Sequence, residues 1–146
     1  MPMAANQSSL DAAASDARRL AGDAHYTGCR MNSKAGKVEV WLASASVQRV
    51  ERLTEMHPRV YLIHNDAPRS EAALFELRDA LSGDLLTLRA DGIRVVAFRP
   101  THDGYLHVRV MGDVPTAQAR LDAMYGSNVA RVEYGEPARQ LPLRGR

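Results

Sequence analysis

Apolar side chains occupy every second position of residues 105–111, in the second half of the chain. Leu106, Val108 and Val110 are the apolar members, and Tyr105 opens the segment. A period of two is typical of a β-strand with one buried face and one exposed face. The alternation therefore predicts a central strand around which the neighbouring elements are arranged.

Helical spacing of apolar residues and short apolar runs predict the elements on either side of this strand. The predicted helices cover 10–24, 47–57, 70–81 and 114–125, and a further helical turn covers 85–88. The predicted strands cover 26–31, 38–42, 60–63, 93–98 and 129–134. Ser46 and Asp113 are expected to cap two helices, and Ser82 and Gly83 are expected to interrupt a third.

From about Arg59 to Tyr134 the predicted order is β-α-β-β-α-β, which is the ferredoxin-like split pattern. The expected fold is therefore α+β, with two helices on one face of a four-stranded antiparallel sheet. A strand and a helix at 38–56 precede this core. They either extend the edge of the sheet or form a partial repeat, because 38–58 and 60–81 both contain a strand followed by a helix.

The length of 146 residues favours one domain. We expect this domain at 25–134, with the ferredoxin-like core at about 59–134. Residues 1–24 are expected to form a polar tail and an alanine-rich helix, and 135–146 a flexible basic tail.

Composition indicates an ordinary soluble protein, with 45% hydrophobic and 25% charged residues. The net charge of +2 is too small to indicate nucleic acid or a membrane surface as a partner. No apolar run approaches the roughly 20 residues of a membrane span, and the N-terminus lacks a secretory signal pattern. The single cysteine, Cys29, excludes an intrachain disulfide and a cysteine-rich zinc site. We therefore expect a cytoplasmic protein that makes no membrane contact.

Polar residues cluster where the predicted strands of the ferredoxin-like core begin and end. That topology would bring them to one rim of the sheet, where they suit anion binding, acid–base chemistry or a metal. The simpler alternative is that they are turn and cap residues with solvent-exposed ion pairs. The candidate ligand-binding rim consists of His64, Asn65, Asp66, Arg69, Arg99, His102 and Asp103.

The sheet face opposite the helices is a second candidate site. It is expected to contact a protein partner, a second copy or the chain's own N-terminal segment, through tyrosine, methionine and arginine stems. Nucleic acid is not expected there, because the aromatic pairs of an RNA-recognition motif are missing. The candidate face consists of Tyr105, His107, Arg109, Met111, Arg94 and Arg131.

No sequence motif for catalysis was found. The chain has no GxGxxG, P-loop, GxSxG, HExxH or CxxC pattern. We therefore predict no catalytic residue, no metal and no cofactor, although a weakly marked effector-binding module of the ACT type stays open.

Three segments, 32–42, 67–74 and 92–104, occur in an order similar to a known class of module. Together with the strand after 104, they resemble the pro-region-like α/β modules of alpha-lytic and streptogrisin-type serine proteases in high-GC bacteria. The resemblance implies a small sheet with helices on one side, and a chaperone or inhibitor role rather than catalysis. Because no protease domain follows in this sequence, the resemblance supports a non-catalytic module that contacts another protein and not specifically a protease inhibitor.

These observations rank three functions. The leading one is a small non-catalytic binding or adaptor protein that uses the open sheet face or the C-terminal tail, with another protein or a second copy as partner. The alternative is a small-ligand or anion-binding protein, or an enzyme, that uses the rim. Nucleic-acid binding ranks third.

Overall fold

A computed structural model of the chain describes residues 7–136 and confirms the α+β class. Its helices are α1 (Gln7–Ala21), α2 (Val47–Met56), α3 (Glu71–Ala90) and α4 (Val114–Tyr125). Its strands are β1 (Tyr26–Asn32), β2 (Lys37–Leu42), β3 (Tyr61–His64), β4 (Arg94–Pro100), β5 (Leu106–Met111) and β6 (Ala130–Tyr134). The N-terminal tail at 1–6 and the basic tail from 137 onward lie outside the described residues.

The strands form two mixed three-stranded sheets, in the orders β1-β2-β3 and β4-β5-β6. The first pair of each sheet is antiparallel and the second pair is parallel. From β3 to β6 the elements keep the ferredoxin-like order, but β3 pairs with β2 and not with the second sheet. The expected four-stranded antiparallel sheet is therefore divided, because β2 and β5 each take the strand that follows the next helix as a parallel partner.

The chain consists of two units with the same α-β-β-α-β order, which we call the first unit (7–64) and the second unit (71–134). Each unit has a register shift near the start of its first strand and a left-handed residue before its last strand. The shifts lie at Tyr26/Gly28 and Val95/Ala97, and the left-handed residues are Arg59 and Asn128. The repeat thus relates 7–64 to 71–134, and not the predicted pair 38–58 and 60–81.

Each unit has its own cluster of buried residues beneath its central strand. In the second unit Leu106, Val108 and Val110 are buried against α3 and α4, which confirms the period-two prediction for this strand. In the first unit Val38 and Val40 of β2 are buried in the same way, against α1 and α2. The helices therefore cover one face of each sheet, and the opposite face carries the polar side chains.

Helix α3 runs without a break for 20 residues, so the predicted interruption at Ser82 and Gly83 is wrong. One glycine inside a helix costs about 1 kcal/mol, whereas full burial of a leucine contributes roughly 1.5–3 kcal/mol. Leu81 and Leu88, one on either side of Gly83, are both fully buried. Their burial outweighs the weak helical preference of the glycine.

Two of the helices begin with a serine whose side chain accepts a hydrogen bond from the backbone. Ser46 caps α2 as predicted, and Ser70 caps α3. Asp113 occupies the cap position of α4, but its carboxylate accepts a hydrogen bond from the Thr116 hydroxyl (2.6 Å) and none from the backbone. The predicted side-chain cap by Asp113 is therefore absent. None of the helices within 7–136 has the length and apolar character needed to cross a membrane.

Candidate functional site

Trp41, the only tryptophan of the chain, lies where the second unit packs on the first. Its ring stacks on His64 of β3, with centroids 4.6 Å apart, and meets His102 of the β4–β5 turn at 4.4 Å. The turn can come this close because Gly28 has no side chain. A Cβ at Gly28 would lie 2.6 Å from the backbone of His102. The second unit therefore covers part of the open face of the first sheet.

Glu39 lies on this same face and is only 8% exposed. Arg30 donates to one of its oxygens through Nε (3.0 Å) and Nη2 (2.7 Å), and the ring of His64 lies 3.2 Å from the other. Hydrogen bonds from Arg30 first, and from His64 second, hold the pKa of Glu39 below its usual range. Glu39, Arg30 and His64 of the first face thus find their partners in one another.

Arg69 holds the connection between the units in place. Its guanidinium donates to the backbone carbonyls of Gly104 and Asn128, and its own carbonyl accepts a hydrogen bond from the Thr27 hydroxyl (2.8 Å). Burial lowers the pKa of Arg69. Its donors are directed at the backbone of its own chain, which is a structural role.

The residues of the predicted rim separate into groups with different roles. His64 and His102 meet through Trp41, and Arg69 contacts the turn that carries His102 and Asp103. Burial tends to raise the pKa of Asp103, but hydrogen bonds from Thr101 and Arg131 outweigh burial and lower it. The remaining positions are Asn65, which bonds the backbone of Ala45; Asp66, which is exposed; and Arg99, which lies on the second sheet. A ligand at the rim stays a prediction.

The residues of the predicted sheet face lie on or beside the open face of the second sheet. Strand register places His107 of β5 between Arg99 and Arg131, and the next row is Ala97, Arg109 and Glu133. Arg94 lies opposite Met111 at the end of the sheet. Tyr105 precedes the strand at its edge, where the guanidinium carbon of Arg131 lies 3.4 Å from the centre of its ring. We call Arg94, Arg99, His107, Arg109 and Arg131 the arginine face.

Negative charge is scarce on the arginine face. The Glu133 carboxylate lies 3.0 Å from the His107 ring nitrogen and 3.7 Å from the Arg109 guanidinium. The Asp103 carboxylate forms an ion pair with Arg131 (3.1 Å). Within residues 7–136, no carboxylate pairs with either of the other two arginines, Arg94 and Arg99. The face therefore carries excess positive charge that is available to an anionic partner.

A shallow concavity of about 390 Å³ lies on this face, lined by Ala97, Phe98, Arg99, His107, Arg109 and Glu133. Small residues make room for it. The short side chain of Ala97 leaves space beside Arg109, its partner on β5. Gly135 leaves space on the other side, because a Cβ there would lie only 2.8 Å from the Arg109 side chain. Its donors suit a carboxylate or phosphate group. Within 7–136, no three histidine, cysteine or acidic side chains meet closely enough to hold a metal ion.

The open faces of the two units carry related residues at equivalent positions, a relation that sequence reasoning missed. The first unit pairs Glu39 with His64, and the second pairs His107 with Glu133, so the two residue types are exchanged. Each pair is diagonal between the central strand and its parallel neighbour. The difference lies in what covers the face, because the His102 turn packs on the first face alone. The signal that could have indicated this contact is the single tryptophan among the outward positions of β2.

Comparisons with protein-family models, with curated proteins and with solved structures found no match. The arrangement of side chains described above is therefore the basis for a functional proposal.

Proposed function

We propose that this chain is a non-catalytic protein-binding module and that the arginine face is its partner-contacting surface. The observation that carries this proposal is the concentration of four arginines and a histidine on one sheet face, against two carboxylates. Two of those arginines, Arg94 and Arg99, have no ion-pair partner within residues 7–136. A partner with acidic side chains would provide the missing counter-charges.

The open face of the first sheet is covered and that of the second is not, and this difference supports a protein as the partner of the arginine face. The equivalent face of the first unit is already covered by a protein turn, in which His102 packs on Trp41. Stacking of exposed bases is the usual way to bind single-stranded nucleic acid. Near the arginine face, the Tyr105 ring is covered by the Arg131 guanidinium, and Phe98 packs against the core of the second unit. The resemblance to protease pro-regions points to the same kind of role, contact without catalysis, and cytoplasmic residence stays a prediction.

Site-specific photo-crosslinking can test this proposal. Ala97 is exposed on the edge strand β4, next to Arg109 on the arginine face, and Ala123 is exposed on α4, on the opposite side of the same unit. A photoreactive residue at Ala97 should give a discrete crosslinked protein in an extract of the source cell. The same residue at Ala123 should not give that product. Equal products from both positions, or none from Ala97, would reject the arginine face as the contact surface.

A second candidate function is the binding of a small carboxylate or phosphate compound. The concavity beside Arg99, His107 and Arg109 favours it, and its volume lies within the usual range for ligand sites. Titration calorimetry with inorganic phosphate and with citrate would distinguish the two. Saturable binding that is lost in Arg99→Gln would favour the small anion, and no heat from either compound would favour the protein partner.

A further inference from the structure

The two sheets differ at their outer edges, where β6 and β3 lie. In the second sheet, the outward backbone groups of β6 include the Ala130 carbonyl and the Val132 N–H. Gln118 of α4 donates to that carbonyl (2.8 Å) and accepts from that N–H (3.1 Å). The glutamine amide therefore makes two of the hydrogen bonds that a neighbouring strand would make, and it closes this edge to strand addition.

The corresponding groups of the first sheet have no such contact. Val38 donates to the Val60 carbonyl (2.9 Å), and the parallel register of β2 and β3 then directs the Tyr61 carbonyl and the Ile63 N–H away from the sheet. No residue of 7–136 makes a hydrogen bond to either of these two groups. The edge of the first sheet therefore offers free backbone groups to an added strand.

The difference follows from one flank of the covering helix. Gln118 lies three residues before Leu121, the buried leucine of α4, and Val50 lies three residues before Leu53, the buried leucine of α2. A valine has no polar atom and cannot bond the backbone of β3. Thr54, one turn further along α2, donates its hydroxyl to the Val50 carbonyl of its own helix (3.1 Å). The first unit thus lacks a side chain that closes its edge.

The flank of α2 beside this edge is acidic. A groove of about 390 Å³ lies there, lined by Val50, Glu51, Thr54, Glu55 and Pro58. Neither glutamate has an ion-pair partner in the part of the chain that the structure describes. Arg49, on the other flank of α2, donates to the Ala21 carbonyl of α1 (2.8 Å) and is directed away from the groove. A partner with positive charge would therefore complement this flank.

Side chains of β3 alternate between the two faces of the sheet. Tyr61 faces the helices, since its hydroxyl donates to the Ala13 carbonyl of α1, and Ile63 packs in the same core. Leu62 faces the open side next to Glu39 of β2 and is 39% exposed. An added strand would continue this alternation. Its residues opposite Tyr61 and Ile63 would face the α2 flank, and the residue between them would lie beside Leu62.

We propose that this edge binds an extended segment of another protein, with arginine or lysine at alternate positions and aliphatic residues between them. Its backbone would bond the Tyr61 carbonyl and the Ile63 N–H, as in recognition by strand addition. The cations would reach Glu51 and Glu55, and their aliphatic stems would cover the groove. The intervening side chains would pack on Leu62. This inference does not depend on the proposed function of the arginine face, whose charge is opposite.

A second copy of the chain does not fit this edge. Antiparallel pairing of two β3 strands would place both copies of α2 on the same side of the joined sheet, because α2 packs on β3. Paired strands lie about 4.8 Å apart, whereas packed helices need about 8–10 Å between their axes. The two copies of Glu51 would also repel each other. An extended segment without a helix on that side avoids both obstacles.

An NMR titration of the full chain with a peptide tests the proposal. The probe is a seven-residue peptide, blocked at both ends, in which arginine and valine alternate, and the control peptide has glutamate in place of arginine. The arginine peptide should shift the Ile63 amide signal saturably, and at saturation it should slow hydrogen exchange of this amide at least tenfold. The glutamate peptide should do neither. The Val132 amide, which Gln118 holds, should be unaffected by both peptides and serves as the internal control.

Charge variants test the acidic flank. Glu51→Gln/Glu55→Gln should bind the arginine peptide at least about fivefold more weakly, because two counter-charges are lost. Glu76→Gln/Glu136→Gln removes two exposed glutamates elsewhere, and its affinity should stay within about twofold of the unaltered chain. The amide of Val108, in the central strand of the second sheet, reports any global loss of stability.

A cap variant tests the position of binding. Val50→Gln introduces an amide at the helix position that Gln118 occupies in the second unit. It should slow exchange of the Ile63 amide in the absence of peptide and abolish the shift that the arginine peptide causes. If this glutamine protects Ile63 while the peptide binds with unaltered affinity, the peptide lies elsewhere and the proposal is wrong.

Three further results would overturn the proposal. Equal responses of Ile63 to the arginine and glutamate peptides would show that charge does not select the occupant. Slow exchange of Ile63 without peptide would show that another group already holds the edge, and slowing that grows with protein concentration would identify a second copy. Equal losses of affinity in the two pairs of glutamine variants would remove the acidic flank from the site.

Discussion

Replacement of Gly28 by alanine tests the contact between the two units most sharply. Gly28 lies on β1 opposite Trp41, and the turn that carries His102 passes directly over it. A Cβ built at Gly28 would lie 2.6 Å from both the Cα and the carbonyl oxygen of His102, and 2.9 Å from its Cβ. Two of these three atoms belong to the backbone, so a change of side-chain rotamer cannot relieve the clash.

The expected cost follows from the displacement needed. Ordinary van der Waals contact begins at 3.4 Å, so the 101–104 turn must move by almost 1 Å. That movement separates His102 from Trp41 and pulls on the bond between Arg69 and the Gly104 carbonyl. Overpacking of this kind costs about 1–3 kcal/mol, and we expect Gly28→Ala near the upper end, about 3 kcal/mol.

Gly83→Ala is the matched control, because it adds the same methyl group elsewhere. Gly83 lies inside α3, and a Cβ added there would have no atom within 4 Å outside its own helical turn. The substitution should stabilise the protein by about 1 kcal/mol, since alanine is the better helix former. Urea unfolding followed by circular dichroism gives both values, and Trp41 fluorescence reports the junction in the same samples. Gly28→Ala with the stability of the unaltered chain and unchanged Trp41 emission would refute the described junction.

Two further predictions concern the first unit. Because Arg30 holds the pKa of Glu39 below its ordinary value, about 4.3, the ion pair stabilises the fold fully above that value. This stabilisation is lost as the pH falls through the lowered pKa. The urea concentration at the unfolding midpoint should therefore decrease as the pH is lowered from about 4.3, and it should decrease less steeply with pH in Glu39→Gln. Equal pH dependence in the two proteins would contradict the ion pair. Asn65 exchanges two hydrogen bonds with the Ala45 backbone (2.8 and 2.9 Å), so Asn65→Ala should cost about 1–3 kcal/mol. Asp66→Ala should stay within about 0.5 kcal/mol, and equal losses would contradict this assignment.

Local patterns in the sequence were sufficient to predict most of the elements. The alternation of β5, the serine cap of α2 and the turn before β5 each depend on a few neighbouring residues. Pairing of strands depends on competition between distant segments, and that competition is not visible in the pattern of one strand. The assignment of β3 to β2 rather than to the second sheet is such a case. The continuity of α3 through Gly83 likewise depends on tertiary burial of Leu81 and Leu88.

The candidate sites show the same division. Four of the five residues of the arginine face were predicted on one face, because a period of two determines which side chains share a face, whereas Arg99 was assigned to the rim. The rim prediction brought His64 and His102 together but did not include Trp41, the ring between them. The Gln118 side chain on α4 donates to the Ala130 carbonyl of β6 and accepts from the Val132 N–H. These contacts could not be foreseen, because a surface glutamine on a helix gives no sign that its amide reaches a strand edge. Side chains that act across elements become visible once the elements are placed.

The central claim is that the arginine face binds the protein partner. The most direct test is to measure the affinity of the crosslinked partner for a variant that lacks two of the arginines. Arg94→Gln/Arg99→Gln removes the two arginines that have no ion-pair partner within 7–136, so the fold should be unaffected. Lys34→Gln/Arg52→Gln removes the same charge elsewhere and is the control. Titration calorimetry should show at least tenfold weaker binding, about 1.4 kcal/mol or more, for the first variant and a change within about twofold for the control. Equal affinity of both variants would contradict the assignment of the arginine face as the binding surface.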